Sequence, residues 1–408
     1  MVFLYSLSLK IYYLVILLAS LFNNKARLWV KGRTGLFGRI EKQVSPEDKI
    51  YWFHASSMGE FEQGRPLIEA IKDQNTSIKI LLTFFSPSGY ENRKNYKAAD
   101  YIFYLPMDSK RNSVKFIRLV NPSKTFFIKY EFWYHYLSQL KKQNIPVYLV
   151  SASFRPDQVF FKWYGSWFRK ILYIFTHIFV QNTTSEQLLK NTGLDNVTVS
   201  GDTRFDRVAE IARQSKRIEL AEKFRKDSTI IIGGSTWERD EEILAEFINT
   251  SSRKIKYIIA PHEIHESKIE RIIRSLNKPV IRYSSASIND INNYQVLIID
   301  NVGMLSSLYK YADIAYIGGG FGVGIHNILE AATFGLPVVF GPNYGKFQEA
   351  VDLVRAGGAF PVNNFEDLKN LFDDLLEKDR YNKAGKIARE YVVKNKGATW
   401  RILNEIKW

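Results

Sequence analysis

The 408-residue sequence contains no cysteine. Disulfides, thiol catalysis and zinc–thiolate sites are therefore excluded, while the compartment stays open. Two familiar phosphate loops are also missing: there is no dinucleotide-type G-x-G-x-x-G and no G-x-x-x-x-G-K-[ST]. Internal repeats and low-complexity segments are absent. Acidic residues are scarce in the first half. Residues 1–200 hold 27 Lys and Arg against 14 Asp and Glu, a balance of +13, whereas residues 201–408 hold 30 against 28. Most of the net charge of +15 thus resides in the first half. It points to an anionic partner there, such as a membrane surface, an acidic lipid or nucleic acid.

What is present begins with an apolar N-terminus. Residues 2–22, VFLYSLSLKIYYLVILLASLF, carry one charge, Lys10. That length just suffices to cross a bilayer as a helix. Lys25, Arg27, Lys31, Arg33 and Arg39 follow and favour a cytoplasmic location for the rest of the chain. Residues 1–24 are expected to form a membrane anchor, either spanning or lying in the interface, with a buried core helix as the alternative.

Beyond it, apolar runs of strand length alternate with amphipathic stretches. Strands are expected at 49–55, 77–84, 101–105, 125–128, 146–151 and 197–200, with a helix at 64–73. An aromatic and basic stretch, 160–179, is expected to be helical, either at a membrane interface or in the core. A charged, helix-like linker covers 202–227. A second strand series follows at 229–232, 256–260, 280–282, 296–299, 314–317 and 338–340. The alternation predicts an α/β chain of two Rossmann-like domains, 25–205 and 206–408, each on a parallel sheet. Ligands would bind at the carboxyl ends of the strands, in a cleft between the domains.

The most informative stretch is IGGGFGVGIHNILEAATFGLPVVFGPNYGKFQE, residues 317–349. It reads as strand, glycine loop, helix, strand and loop. Gly318, Gly319 and Gly320 remove side chains where a ligand would approach the backbone. The helix, expected to begin near His326 or Asn327, would offer free N–H groups to a nucleotide phosphate. Asn327 and Glu330 fall on one face of it, where a carboxylate can accept from ribose hydroxyls. A plain glycine-rich connection is the competing reading. Ser235 and Thr236 follow another strand and are further phosphate or base contacts.

In the first half, His54-Ala55-Ser56-Ser57-Met58-Gly59-Glu60 leaves the first strand. Glu60 falls near a helix start, as a general base or as a partner of the helix dipole. Ser86 and Ser88, in a Pro-Gly turn, offer hydroxyls to a sugar or phosphate, although turn formation also explains them. Lys129 and Glu131 read as an exposed charge pair, for a ligand or for each other. His262 and His265 lack the H-E-x-x-H spacing and a third ligand, so no metal site is expected.

Taken in order, these motifs resemble the transferases of 3-deoxy-D-manno-octulosonic acid (Kdo). The resemblance runs over nearly the whole chain. It takes in the Arg33…Gly38-Arg39 stretch, the H-A-x-S-x-G-E loop ending at Glu60 and the Pro87–Gly89 turn. It continues through Pro106-Met107-Asp108, Glu131–Trp133, Phe205-Asp206, Ser235-Thr236, His326-Asn327-x-x-Glu330, Gly341-Pro342 and Phe347-x-Glu349. It implies a GT-B fold and an inverting, metal-independent transfer without a cofactor. Kdo would pass from CMP-Kdo to the 6′-hydroxyl of a lipid A precursor (lipid IVA) at the cytoplasmic face of the inner membrane. By the same resemblance Glu60 is the catalytic base. Ser235, Thr236, His262, Gly318, Gly319, Gly320, Asn327 and Glu330 would contact the donor. Ser57, Ser86, Ser88, Lys129 and Glu131 would contact the acceptor. The chain departs from the family with His262 for an arginine, Lys129 for an acidic residue, Tyr134-His135 for Pro-Asn, and Ile325 for a glycine. A GT-B enzyme using a UDP-sugar such as UDP-GlcNAc is the alternative. A basic membrane- or nucleic-acid-binding protein without catalysis is a more distant one, and no nucleic acid partner is expected.

Overall fold

The computed structural model describes residues 1–406. They form two compact units. The first holds the chain up to Arg207 together with its last residues from Lys396 onward; the second is Val208–Asn395.

The first unit opens with three helices, α1 (Val2–Ala19), α2 (Asn24–Arg33) and α3 (Leu36–Gln43). Strand β1 (Ile50–Ala55) leads into α4 (Met58–Gln74). The strands that follow are β2 (Lys79–Phe84), β3 (Tyr101–Tyr104), β4 (Lys124–Ile128), β5 (Val147–Ala152), β6 (His177–Val180) and β7 (Val197–Val199). They make one parallel sheet in the order β3-β2-β1-β4-β5-β6-β7. The order turns back between β1 and β4, so a crevice opens beyond their carboxyl ends. Successive β1 residues point to opposite faces. Trp52 joins Leu81, Phe127 and Leu149 in one core, while Tyr51 and Phe53 join Phe126, Tyr148 and Val150 in another. Burial on both faces is why these strands read as unbroken apolar runs.

The second core includes Ile402, Leu403 and Ile406, from and just after the helix Ala398–Glu405. Asp206 secures this helix by accepting from the N–H groups of Gly397 and Thr399 and from the Thr399 hydroxyl. The expected second domain, 206–408, thus loses residues 396–406 to the first unit. Their apolar spacing announces a buried face but not which sheet it meets.

None of the α1 residues is buried, which removes the core-helix alternative. By length and composition α1 could cross a membrane. One side of it lies on the first unit. Tyr5 donates to Asp108 at 2.6 Å, Ser6 Oγ lies 3.0 Å from His135 Nε2, and Tyr12 stacks on Phe85. Its other side exposes Leu4, Ile11, Leu14, Val15 and Leu18.

The second unit carries β8 (Thr229–Thr236), β9 (Ile255–Pro261), β10 (Val280–Arg282), β11 (Val296–Ile298), β12 (Ile314–Ile317), β13 (Val338–Phe340) and β14 (Ala359–Pro361). Its parallel sheet has the order β10-β11-β9-β8-β12-β13-β14, with the reversal at β8 and β12. Tyr257, Ile259, Tyr316 and Val339 form its core with Ile243 and Phe247 of the helix Glu238–Thr250.

Two expectations are corrected. Residues 160–179 are not one helix. They hold a 3-10 turn at Val159–Phe161, the helix Ser166–Leu172 and the start of β6. A strand buried on both faces and a core helix look alike in an apolar run. The helix after the glycine loop begins at Leu329, past His326 and Asn327, and ends at Ala332.

Candidate active site

At the first crevice, Ser57 caps α4 and its N–H donates to the Glu60 carboxylate at 3.0 Å. Glu60 is half-buried at the mouth of β1. Beneath it, His54 Nε2 lies 3.0 Å from Glu131 Oε2, and His54 Nδ1 lies 2.9 Å from Thr83 Oγ1. The Thr83 oxygen already accepts the Trp52 indole N–H at 2.8 Å. His54 Nδ1 also faces the Thr83 carbonyl at 3.1 Å, so the imidazole is held from both ring nitrogens, between Thr83 and Glu131. Trp133 Nε1 also donates to Glu131.

The two carboxyls are pushed apart. Burial acts to raise Glu131, but hydrogen bonds from His54, Ser56 and Trp133 outweigh it and hold the group below the usual carboxylate range. Burial, and then the charge of Glu131, raise Glu60. One carboxyl stays ionised beside a second that is poised to exchange a proton, the pairing that separates acid–base roles. The Ser86 N–H donates to the Ser56 carbonyl at 2.8 Å, tying the β2 loop to this one, and Ser86 and Ser88 hydroxyls lie 2.8 Å apart.

At the second crevice, Ser235 adopts a left-handed φ of 53° where the β8–β9 register shifts. Such a backbone is costly for a residue with a side chain and is a mark of functional loops. Gly318 packs against it so tightly that a Cβ would meet the Ser235 carbonyl at 2.3 Å; a Cβ on Gly320 would meet Gly341 at 2.6 Å. The missing side chains are therefore required by the chain itself, not only by a ligand. Asp240 is buried and accepts from Gly319 N–H at 2.9 Å and from the Tyr316 hydroxyl at 2.7 Å. Trp237 and His326 lie side by side and nearly coplanar, with centroids 6.4 Å apart, and His262 stacks on both at 4.6 and 4.5 Å. Trp237 Nε1 donates to His326 Nε2 at 2.9 Å. Burial, then the nearby His262, lower His326 to about 4, so it stays neutral and accepts that bond. Next to His326 in the chain, Asn327 Nδ2 donates to Glu330 at 3.1 Å.

The family model of 3-deoxy-D-manno-octulosonic-acid transferase (kdotransferase) matches residues 30–207. A 3-deoxy-D-manno-octulosonic acid transferase of Rickettsia bellii is 27% identical over 385 residues, covering 92% of this chain and 90% of that protein. One of Haemophilus influenzae is 26% identical, at 92% and 90% coverage. The chain is similar to Kdo transferases over 92% of its length, and its residues 30–207 match that family's model. Among solved structures, UDP-GlcNAc 2-epimerase of Neisseria meningitidis aligns with a TM-score of 0.61 at 19% identity, covering 87% of this chain and 98% of that one. A glycosyltransferase of Rickettsia africae aligns with a TM-score of 0.56 at 14% identity, covering 88% of this chain and 97% of that one. The fold is GT-B, and the family match supports a glycosyltransferase activity.

The structure brings Ser57, Glu60, Ser86, Ser88 and Glu131 to the loops at the carboxyl edge of the first sheet. Ser235, Thr236, His262, Gly318, Gly319, Gly320, Asn327 and Glu330 gather at that of the second. The exposed Lys129–Glu131 pair is corrected. Glu131 is buried and pairs with His54, while the Lys129 ammonium lies over the Tyr130 ring. Thr236 is also buried, its hydroxyl donating to Glu241. His54, Trp133, Trp237 and Asp240 were not singled out in the sequence. Trp237 and Asp240 carried a signal, since they flank the start of a helix directly after Ser235-Thr236. Among the described residues, no group of three or more His, Asp or Glu is placed to hold a metal ion.

Proposed function

We propose that this chain transfers Kdo from CMP-Kdo to the 6′-hydroxyl of a lipid A precursor (lipid IVA), with inversion and without a metal. The observation that carries this reading is Glu60, raised above its ordinary range beside an ionised Glu131. Glu60 takes the proton of the acceptor hydroxyl as its oxygen attacks the anomeric carbon of Kdo. The new C–O bond forms as the bond to the CMP phosphate breaks, and CMP leaves as an anion that needs no proton. Ser57, Ser86 and Ser88 orient the acceptor sugar. On the donor side, Glu330 accepts from the ribose hydroxyls, held by Asn327. The aromatic cluster of Trp237, His262 and His326 offers a flat face to the cytosine, and Ser235, Thr236 and the Gly318–Gly320 loop surround the phosphate. With His262 in place of an arginine, this contact is made by an aromatic face.

The anchor reading becomes an interfacial one. A spanning helix would place the Tyr5–Asp108 bond in hydrocarbon, where an unshielded carboxylate is very costly. With α1 lying in the plane, its exposed aliphatic side enters the cytoplasmic face of the inner membrane.

The test incubates CMP-Kdo and a tetraacylated lipid A precursor with wild type and with Glu60→Gln, read by mass spectrometry. A Kdo-sized gain with wild type alone supports donor, acceptor and base together. Intact CMP-Kdo with consumption of UDP-GlcNAc would replace the donor by a UDP-sugar.

A further inference from the structure

Between α1, α3 and the loop after β3 lies a groove of about 770 Å³, within the range of pockets that enclose small organic ligands. Its walls are apolar, formed by Leu9 and Leu14 of α1, Leu36 and Phe37 of α3, and Met107. Leu14 is also 57% exposed. The groove is thus continuous with the aliphatic side of α1, so a chain could pass from one to the other.

The charge around it has one sign. Lys10, Lys110 and Arg111 stand exposed at the rim, the last two in the first turn of the helix Lys110–Val120. None of the three enters an ion pair among the described residues. Deeper in the wall is Arg33. Its guanidinium donates to three backbone carbonyls, those of Leu105, Trp29 and Phe85, and lies 3.7 Å over the Trp29 ring. It has no carboxylate partner. The one acid in the lining, Asp108, is taken by Tyr5 and by the N–H groups of His135 and Tyr136. Arg33 is thus satisfied by the protein itself, whereas Lys10, Lys110 and Arg111 at the rim form a cluster of one sign that an anion completes.

We propose that this groove binds one anionic glycerophospholipid of the bilayer. One acyl chain lies along Leu9, Leu14, Phe37 and Met107, and the phosphate sits among Lys10, Lys110 and Arg111. The site goes beyond the Kdo reading and does not depend on which sugar is transferred. It abuts the His135 end of the segment that carries Glu131, so an occupied groove holds the loop beside the carboxylate pair.

The test is native mass spectrometry of the full chain in detergent micelles, with phosphatidylglycerol or phosphatidylcholine of the same chains. One phosphatidylglycerol should be retained, with phosphatidylcholine at least tenfold weaker. The exposed double variant Lys110→Glu/Arg111→Glu should weaken phosphatidylglycerol at least tenfold, and Leu9→Trp, which fills the groove, should weaken both lipids. Thermal melts confirm that each variant is folded. Equal retention of the two lipids overturns the proposal, as does binding unmoved by these variants. Glycerol phosphate competing as well as the lipid would leave only an anion site. Displacement by the lipid A precursor but not by added phosphatidylglycerol would assign the groove to the acceptor. Either of these last results also overturns it.

Discussion

Glu60 is raised by its burial and then by the charge of Glu131, which hydrogen bonds from His54, Ser56 and Trp133 hold ionised. The pair is asymmetric because only Glu131 has buried donors. Glu60 receives N–H groups from its own helix start and faces outward.

Replacing Glu60 with Gln should lower Kdo transfer by about 10²–10⁴-fold, the usual share of a general base. CMP binding, measured by calorimetry, should stay within about twofold, because Glu60 and the nucleotide contacts belong to different units. Near-normal turnover by a folded variant would remove Glu60 from the reaction.

Glu131→Gln should move the acid limb of the kcat/KM pH profile to lower pH. A base must be ionised, so activity falls as pH drops through the Glu60 pKa. Removing the neighbouring negative charge lowers that pKa and extends activity downward. A lower plateau is also expected, since His54 loses its charged acceptor. A limb that stays put would separate the two carboxyls.

Much of this was legible in the sequence, for a physical reason. Strands buried on both faces leave apolar runs, and all twelve expected strands overlap observed ones by most of their length; β6 and β14 were not foreseen. β6 was hidden because HIFV continues an aromatic run that fits a helix equally well. The acidic and hydroxyl residues of the loops stood out because they follow strands. The burial of Glu131 did not, since its partner His54 is 77 positions away. Pairings of that separation are set by sheet order, which the local pattern does not encode.

Trp237→Ala should weaken CMP binding by about tenfold, in line with the loss of one base-stacking face. His326 stays neutral well below physiological pH. Its bond from Trp237 should therefore hold from pH 5 to 8, and CMP affinity in that range should owe no step to His326. Fluorescence titration across the range reads both.

Gly318→Ala should destabilise the second unit by about 1–3 kcal/mol, because the added carbon meets backbone that cannot turn aside. Urea unfolding measures it. A neutral result would show that the Ser235 loop can yield.

Asp206→Ala should lower the stability of the first unit by about 1–3 kcal/mol by leaving the N–H groups of Gly397 and Thr399 without their acceptor. Differential scanning calorimetry should show it in the transition that also responds to Glu131→Gln.

The return of the last helix to the first sheet imposes an order on biosynthesis. Domains tend to fold as they leave the ribosome, N-terminal part first. Here the first sheet lacks one of its covering helices until residues 398–405 have been made. A nascent chain stalled after Asn395 would hold a finished second unit and an unfinished first one, with Tyr51, Phe53 and Phe126 sharing a core still short of Ile402 and Leu403. Termination before residue 398 would thus disable the half of the protein made first.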